Sequence, residues 1–408
     1  MRKIMVMMMG LVMCAANATT FYVGPSGNHG DGKSWETAKR SIQTAVDIAR
    51  DGDEIVVSNG VYTSFKVEGK TVTIRSVNGA EHTIVDGGKR NTCAHFVGGI
   101  ATNSVLTGVT LRNGFSPLAG GGVKGGTLYD CILTGNEATG HGGGAMNSTL
   151  NNCMLEGNKA SNGGGTGSST LNNCALVGNT ATHGGGAIHS TLNNCVLIGN
   201  KAVLGGGLHG NTKGSTDILN HCVLVGNMAN YGGGTYGGIL NNCVLTGNTV
   251  TKKVTAPYWG QGGGSAEGRL NNCIVWGNTA WRGDNHYDCT FNYSCTTPLP
   301  DKGTNNITDD PMFVDAANGF FQLQRYSPCI NKGSNEYVNG DCDLDGNPRI
   351  QNGTVDMGAY EYVDTSEQDG TNTDAQVNAI KPPVRIIVPQ STKFQPQGPA
   401  PARGTSQR

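Results

Sequence analysis

Leu171-Asn172-Asn173-Cys174-Ala175-Leu176-Val177-Gly178-Asn179 leads, five residues on, to Gly184-Gly185-Gly186-Ala187-Ile188, and the cycle starts again at Leu192-Asn193-Asn194-Cys195. Copies of this unit begin at Leu128, Leu150, Leu171, Leu192, Leu219, Leu240 and Leu270, at intervals of 22, 21, 21, 27, 21 and 30 residues. A period of ~21 residues marks a repeat architecture and is too short for a coil that contains a crossover helix. The strands are read as alternating, Cys195-Val196-Leu197-Ile198 among them, so that every second side chain lies on one face. A coil of this length holds two or three short strands with tight turns. Successive coils stack as parallel strands ~4.8 Å apart, and parallel crossovers are right-handed in about 98% of cases. The fold class is therefore all-β: a right-handed parallel β-helix, a solenoid of ~21-residue coils.

Stacking turns each repeated residue into a ladder. Asn136, Asn158, Asn179, Asn200, Asn227, Asn248 and Asn278 follow Gly; they are expected at left-handed turns, with amides bonded from coil to coil. Cys131, Cys153, Cys174, Cys195, Cys222, Cys243 and Cys273 are expected inside, as free buried thiols acting as small hydrophobes. The triple glycines are expected to make sharp turns of positive φ.

The ends of the chain differ from its middle. Arg2 and Lys3, the apolar run Ile4 to Met13 and Ala16-Asn17-Ala18 read as an export signal over residues 1–18. That run is too short for a bilayer, and no later segment is apolar enough for an anchor. Residues 19–87 read as an N-terminal cap and first coils. Here Ser34 is a helix N-cap, and Trp35, Ala38, Ile42, Ala45, Val46 and Ala49 form an apolar face ended by Asp51-Gly52. Strands are expected at Glu54–Val57, Val67–Val77 and His82–Val85. Residues 88–326 are the repeats, closing in irregular coils around Asp309–Val314 and Phe320–Leu323. Residues 327–363 form a distinct C-terminal segment, with a Cys329–Cys342 disulfide expected and Cys289 with Cys295 as a weaker pair. Residues 364–408 are polar, Pro-rich and without a core.

The unit Cys-x-Leu-x-Gly-Asn-x-Ala-x-x-Gly-Gly-Gly-Ala at 174–187 resembles the repeat of chlamydial polymorphic outer-membrane proteins, and Gly185-Gly186-Ala187-Ile188 resembles their Gly-Gly-Ala-Ile signature. Phe21-Tyr22-Val23 through Asp51-Gly52-Asp53 is similar to exported β-helix proteins of the pectin-lyase-like superfamily. Asp343–Arg349 with Val355–Glu361 is similar to the "choice-of-anchor" segment of such proteins. The resemblance implies a right-handed β-helix that is secreted or at the cell surface. The outer-membrane β-barrel of the polymorphic proteins has no counterpart in this sequence.

Composition excludes some partners. With 14% charged residues and a net charge of −1, the chain has no nucleic-acid footprint. Between Gly88 and Gly283 the acids are Asp130, Glu137, Glu156, Asp217 and Glu267, with no close repeated pair of the kind that inverting glycoside hydrolysis needs. A lyase acting on uronate-rich glycans needs a base, for which Lys124, Arg112, His183 and His209 are candidates. The preferred reading is adhesion or glycan binding by a monomer with a polysaccharide partner and no catalytic residue. The alternatives are that lyase and a purely structural surface protein. The longest insertion, Thr251 to Gln261, carries Lys252, Lys253, Tyr258 and Trp259, and the same turn of other coils carries His141, His183 and Tyr231. Insertions leave a solenoid on one side and often form its binding surface, so these seven residues are the expected glycan contacts. Asp341, Asp343 and Asp345 have calcium-loop spacing, although the loop's twelfth position is Asn352 rather than Glu. They suggest a structural Ca²⁺ site or, failing that, an acidic turn pairing with Arg349. No other cofactor is indicated.

Overall fold

The computed structural model describes residues 18–210, 217–251 and 260–364. The proposed signal segment and almost all of the Pro-rich tail lie outside these residues, as do Lys252, Lys253, Tyr258 and Trp259. The chain winds into three parallel sheets, here sheets 1, 2 and 3, of 13, 11 and 10 strands. Sheet 1 starts with Thr20–Val23 and runs through Thr191–Asn193 to Gly303–Thr304. Sheet 2 runs from Gly60–Thr63 through Val196–Ile198 to Cys295–Thr296, and sheet 3 from Phe65–Glu68 through Leu208–His209 to His286–Tyr287. Register holds from coil to coil, as in Leu150↔Leu171↔Leu192↔Leu219. The fold is the right-handed parallel β-helix expected from the repeat.

Each corner has its own solution. Between sheets 1 and 2 the left-handed residue is the second Asn of the Leu-Asn-Asn-Cys unit, with φ near 50° at Asn152, Asn173 and Asn194. Asn tolerates this region better than most residues. After sheet 2 the left-handed residue is the Gly before the ladder Asn, such as Gly178 (φ 62°). The Asn itself is thus not the turn residue expected from sequence. It points inward, and its amide is bonded on every side. In the triple glycines only the first, such as Gly163 (φ 64°), has positive φ. The second is required by close approach, because a Cβ on Gly164 would lie 2.5 Å from the carbonyl oxygens of both Gly185 and Thr180. Gly164→Ala is expected to destabilise the helix by about 2–3 kcal/mol through overpacking, measured as a lower unfolding midpoint. An unchanged midpoint would mean that the backbone yields there.

The interior holds a Leu ladder on sheet 1, another on sheet 2 and the Cys ladder, all buried, while the inward row of sheet 3 is made of mostly small residues such as Ala145, Thr166 and Ala187. Each ladder thiol donates to the backbone two residues earlier, as Cys174 Sγ does to Asn172 O at 3.2 Å. The cysteines are free, as expected. Burial pushes the thiols of Cys131, Cys174, Cys222 and Cys273 well above the ordinary range. Ser294 replaces Cys in the last coil, and its Oγ accepts from Cys273 N at 2.9 Å.

Several sequence expectations are corrected. The N-terminal helix covers only Ile42–Ile48, with Ser41 and not Ser34 as N-cap. Upstream, Thr37 is held by Asp31 and Ser34 in a turn, and Trp35 lies exposed against Tyr22 at 4.7 Å. The expected long strand Val67–Val77 is two strands, Phe65–Glu68 and Thr73–Ser76, parted by a turn at Gly69. Phe313–Asp315 and Phe320–Leu323 form an antiparallel hairpin and not a final coil. The hairpin and the segment after it return over the outer face of sheet 2. There Phe321, Leu323, Cys329, Met357, Ala359 and Tyr360 pack on Val196, Ile198, Val223, Val225, Val244 and Ile274. Cys195-Val196-Leu197-Ile198 is therefore buried throughout and does not alternate.

The two disulfide expectations are not met, since Cys329, Cys342, Cys289 and Cys295 are all unbonded. Cys342 is exposed while Cys329 is buried. Cys289 belongs to the interior cluster and Cys295 to the outer cluster on sheet 2, so a sheet separates them.

Candidate functional site

The triple glycines deliver the chain to sheet 3 in the same way in every coil. The first residue after them faces inward (Ala187, Leu208, Thr235, Ser265) and the second outward (Ile188, His209, Tyr236, Ala266), giving one outer residue per coil. At the edge before the glycines runs a second row, linked by bridges from His141 through Asn162, His183 and Leu204 to Tyr231. The structure thus brings His141, His183 and Tyr231 onto one row. Within this row Asn162 Oδ1 lies 3.0 Å from His183 Nδ1.

The two rows meet in a run of rings across the coils. Centroids are 5.2 Å apart for His183 and His209, 5.1 Å for His209 and Tyr236, 5.2 Å for Tyr236 and Tyr231, and 6.3 Å for Tyr231 and Tyr287. Interplanar angles of 60–75° are the edge-to-face geometry that aromatic quadrupoles favour. His183, His209, Tyr236 and Tyr287 are part-exposed, whereas Tyr231 is only 4% exposed. Tyr231 is therefore a support beneath the run and not the surface contact expected from sequence. Its hydroxyl donates to Glu267 Oε1 at 2.7 Å, and the Tyr236 ring lies beside it, close enough to the same carboxylate to feel its charge. Burial, reinforced by Glu267, pushes both tyrosines above their ordinary range, so both remain donors. Burial, with His183 nearby, pulls His209 down to about 4, so its imidazole is neutral at pH 7. Among the described residues His209 Nδ1 has no hydrogen-bond partner.

Of this site, His183 and Tyr231 were expected. His209 was considered only as a base, and Tyr236, Tyr287 and Glu267 were missed. The available signal was positional: the second residue after a triple glycine gives Tyr236, the next position gives Glu267 after Gly262-Gly263-Gly264, and Tyr287 follows Gly283-Asp284-Asn285, which stands in the place of a triple glycine. The other candidate bases are dispersed. Arg112 lies on sheet 2 in an ion pair with Asp86 at 2.7 Å, and Lys124 lies on sheet 3 several coils away, beside His95. Asp341, Asp343 and Asp345 do not converge; among the described residues no group of acids, His or Cys is placed to hold a metal ion. Asp343 is turned inward, where it accepts from Asp345 N, Asn347 N, Asn347 Nδ2 and Glu361 N. Asp345 accepts from Gln322. Arg349 forms its ion pair with Glu361, not with this turn.

With this geometry in place, comparison with known proteins bears on the fold. The structure is similar to that of pectate lyase Pel9A, with a TM-score of 0.50, 13% identity, and coverage of 84% of this chain and 96% of that one. It is also similar to a rhamnogalacturonan lyase (TM-score 0.44, 12% identity, 78% and 97% coverage). At such identity the likeness to pectate lyase Pel9A shows a shared parallel β-helix fold and nothing further. No protein-family model and no curated protein matches the sequence. Among the described residues, no helix is long and apolar enough to cross a membrane.

Proposed function

We propose that this protein is an exported glycan-binding β-helix whose polysaccharide ligand lies along the outer face of sheet 3, in a role such as adhesion. The observation that carries this reading is the run of rings from His183 to Tyr287, which crosses successive coils and leaves four part-exposed rings on one face. Tyr presents a large, stiff, amphipathic surface at small entropic cost, and a row along the helix axis suits a chain of sugars more than a single one. Similarity to polysaccharide lyases is compatible with a carbohydrate ligand. The lyase alternative lacks support from the site: His209 is a weak base, and Lys124 and Arg112 lie elsewhere.

The test is retention of the full mature chain in gels containing polysaccharides. Tyr236→Ala and Tyr287→Ala are each expected to weaken retention about tenfold, equivalent to ~1.4 kcal/mol. Ala substitution of Tyr129, an exposed tyrosine on sheet 1, should leave it unchanged. Equal retention of all three variants would remove the binding face from sheet 3.

A further inference from the structure

We infer that Glu267 is the specificity determinant of this face and selects neutral sugars that offer a vicinal diol, rejecting uronates. This rests on the glycan-binding reading above and narrows it.

Three observations on Glu267 combine. First, it sits at φ 55°, in the left-handed region. The same corner of other coils holds Asn147, Ser168, His189, Gly237 and Asp288, none of them a long acidic residue. A long acidic side chain gains nothing from this backbone, and strain retained at one position is a pointer to function. Second, the carboxylate is braced from below. Tyr231, buried and wedged between Tyr236 and Tyr287, donates to Oε1, and Tyr236 packs against Tyr231 beside it. A carboxylate has about four acceptor positions, so one phenol leaves at least two for a ligand on the solvent side, where Glu267 is part-exposed. Two adjacent sugar hydroxyls supply two donors at that spacing while the sugar's apolar face meets the neighbouring rings. Third, among the described residues no cation lies within ion-pair distance of Glu267, and the nearby Asp288 is engaged by Lys302. Among the described residues the carboxylate at the centre of the ring track thus has no cationic partner. A uronate would bring a like charge against it, and like-charge juxtaposition is the strongest means of rejecting a wrong partner.

The experiment uses the full mature chain in affinity gels with three neutral polymers (galactomannan, arabinogalactan and xyloglucan) and two polyuronates (polygalacturonate and alginate). The wild type is expected to bind at least one neutral polymer at least tenfold more tightly than either polyuronate. Glu267→Gln should lose about tenfold on that neutral polymer and narrow the gap to the polyuronates. Glu267→Asn, which suits the left-handed backbone but falls short of the Tyr231 hydroxyl, should do the same; Glu267→Gln keeps an acceptor there, so its unfolding midpoint should stay at the wild-type value, and loss of binding at that midpoint cannot come from a folding defect. Tighter binding of a polyuronate by the wild type, or unchanged neutral binding in both variants, overturns the inference and leaves the ring-track reading standing. Absence of binding to all five polymers overturns both.

Discussion

Asn200→Leu is expected to destabilise the solenoid by about 3–5 kcal/mol, a large effect for one nearly isosteric change. Asn200 is fully buried, and its Oδ1 accepts from both the backbone N and the Nδ2 of Asn179, each at 3.0 Å. Its own Nδ2 donates to Leu176 O at 2.8 Å and to Asn227 Oδ1 at 2.9 Å. The same pattern repeats from Asn136 to Asn278 and ends on Asn285. Leucine would leave Asn179 N without a partner inside the core and would remove an acceptor from Asn179 Nδ2 and a donor from Leu176 O; an orphaned buried group costs about 1–3 kcal/mol. Asn200→Asp should be worse near neutral pH. Its second oxygen would face two acceptors, and a charge would enter an apolar interior. Asn172→Ala is the control. Asn172 belongs to a second Asn ladder on the outer face of sheet 1, where it donates to Asn151 Oδ1 at 2.9 Å. It is part-exposed, so water replaces the lost bonds and the cost should stay near 1 kcal/mol. Hydrogen exchange should show the Asn200 damage concentrated in adjacent coils, since each coil contacts only its neighbours. Equal stability of Asn200→Leu and wild type would mean that the ladder is a consequence of the fold and contributes nothing to it.

The solenoid was legible because its signals repeat. A single Leu-Asn-Asn-Cys is weak, but seven in register fix which residues stack. The ladders of Asn200 and Cys195 then follow without coordinates. Sequence distance did not reveal what returns from far along the chain. Val196, Ile198, Val223 and Val225 are apolar on both sides of their strands because the C-terminal segment covers the outside of sheet 2. Local alternation carries no information about such a cover, although doubly apolar strands in consecutive coils were its trace. The binding face was half legible for a related reason. The edge row that ends at Tyr231 was visible as a turn, but the outer row was hidden directly after the glycines, where His209, Tyr236 and Tyr287 fall at one position per coil. Glu267 was counted among the acids and dismissed as unpaired. Its meaning comes from two tyrosines 31 and 36 residues earlier in sequence that the stacking of coils places against it.

The C-terminal cover should depend on one buried ion pair, and Arg349→Met is expected to detach it. Arg349 is 1% exposed, with Nη2 3.1 Å from Glu361 Oε1 and 3.1 Å from Gly358 O. Removing one partner of a buried pair costs about 3–5 kcal/mol when the other charge remains without compensation, a condition that Glu361 meets only above about pH 8, where it is ionised. At neutral pH the loss comes from Asp343 and Asp356, which also lie near the Arg349 charge, and from the carbonyl oxygens that Arg349 holds. Asp343 and Asp356 hold backbone amides of the segment itself, as Asp356 does at Asn331 N and Tyr362 N. Protease cleavage should therefore appear first near the exposed Tyr326, while the coils upstream keep their protection. Glu361→Gln should be milder, because burial already raises the Glu361 carboxyl to about 8 against the pull of Arg349. That value sets a pH dependence. Folded Glu361 keeps its proton up to about 8, whereas an unfolded glutamate releases it near its ordinary value. Between those limits the folded segment binds more protons, so its docking weakens as pH rises from about 5 to 8. Glu361→Gln should flatten most of that slope. Asp356, raised by burial as well, leaves a remainder toward the acid end. The measurement is exchange protection of residues 329–362 as a function of pH. A flat profile in the wild type would show that Glu361 is ionised throughout, held by Arg349 more strongly than burial opposes it.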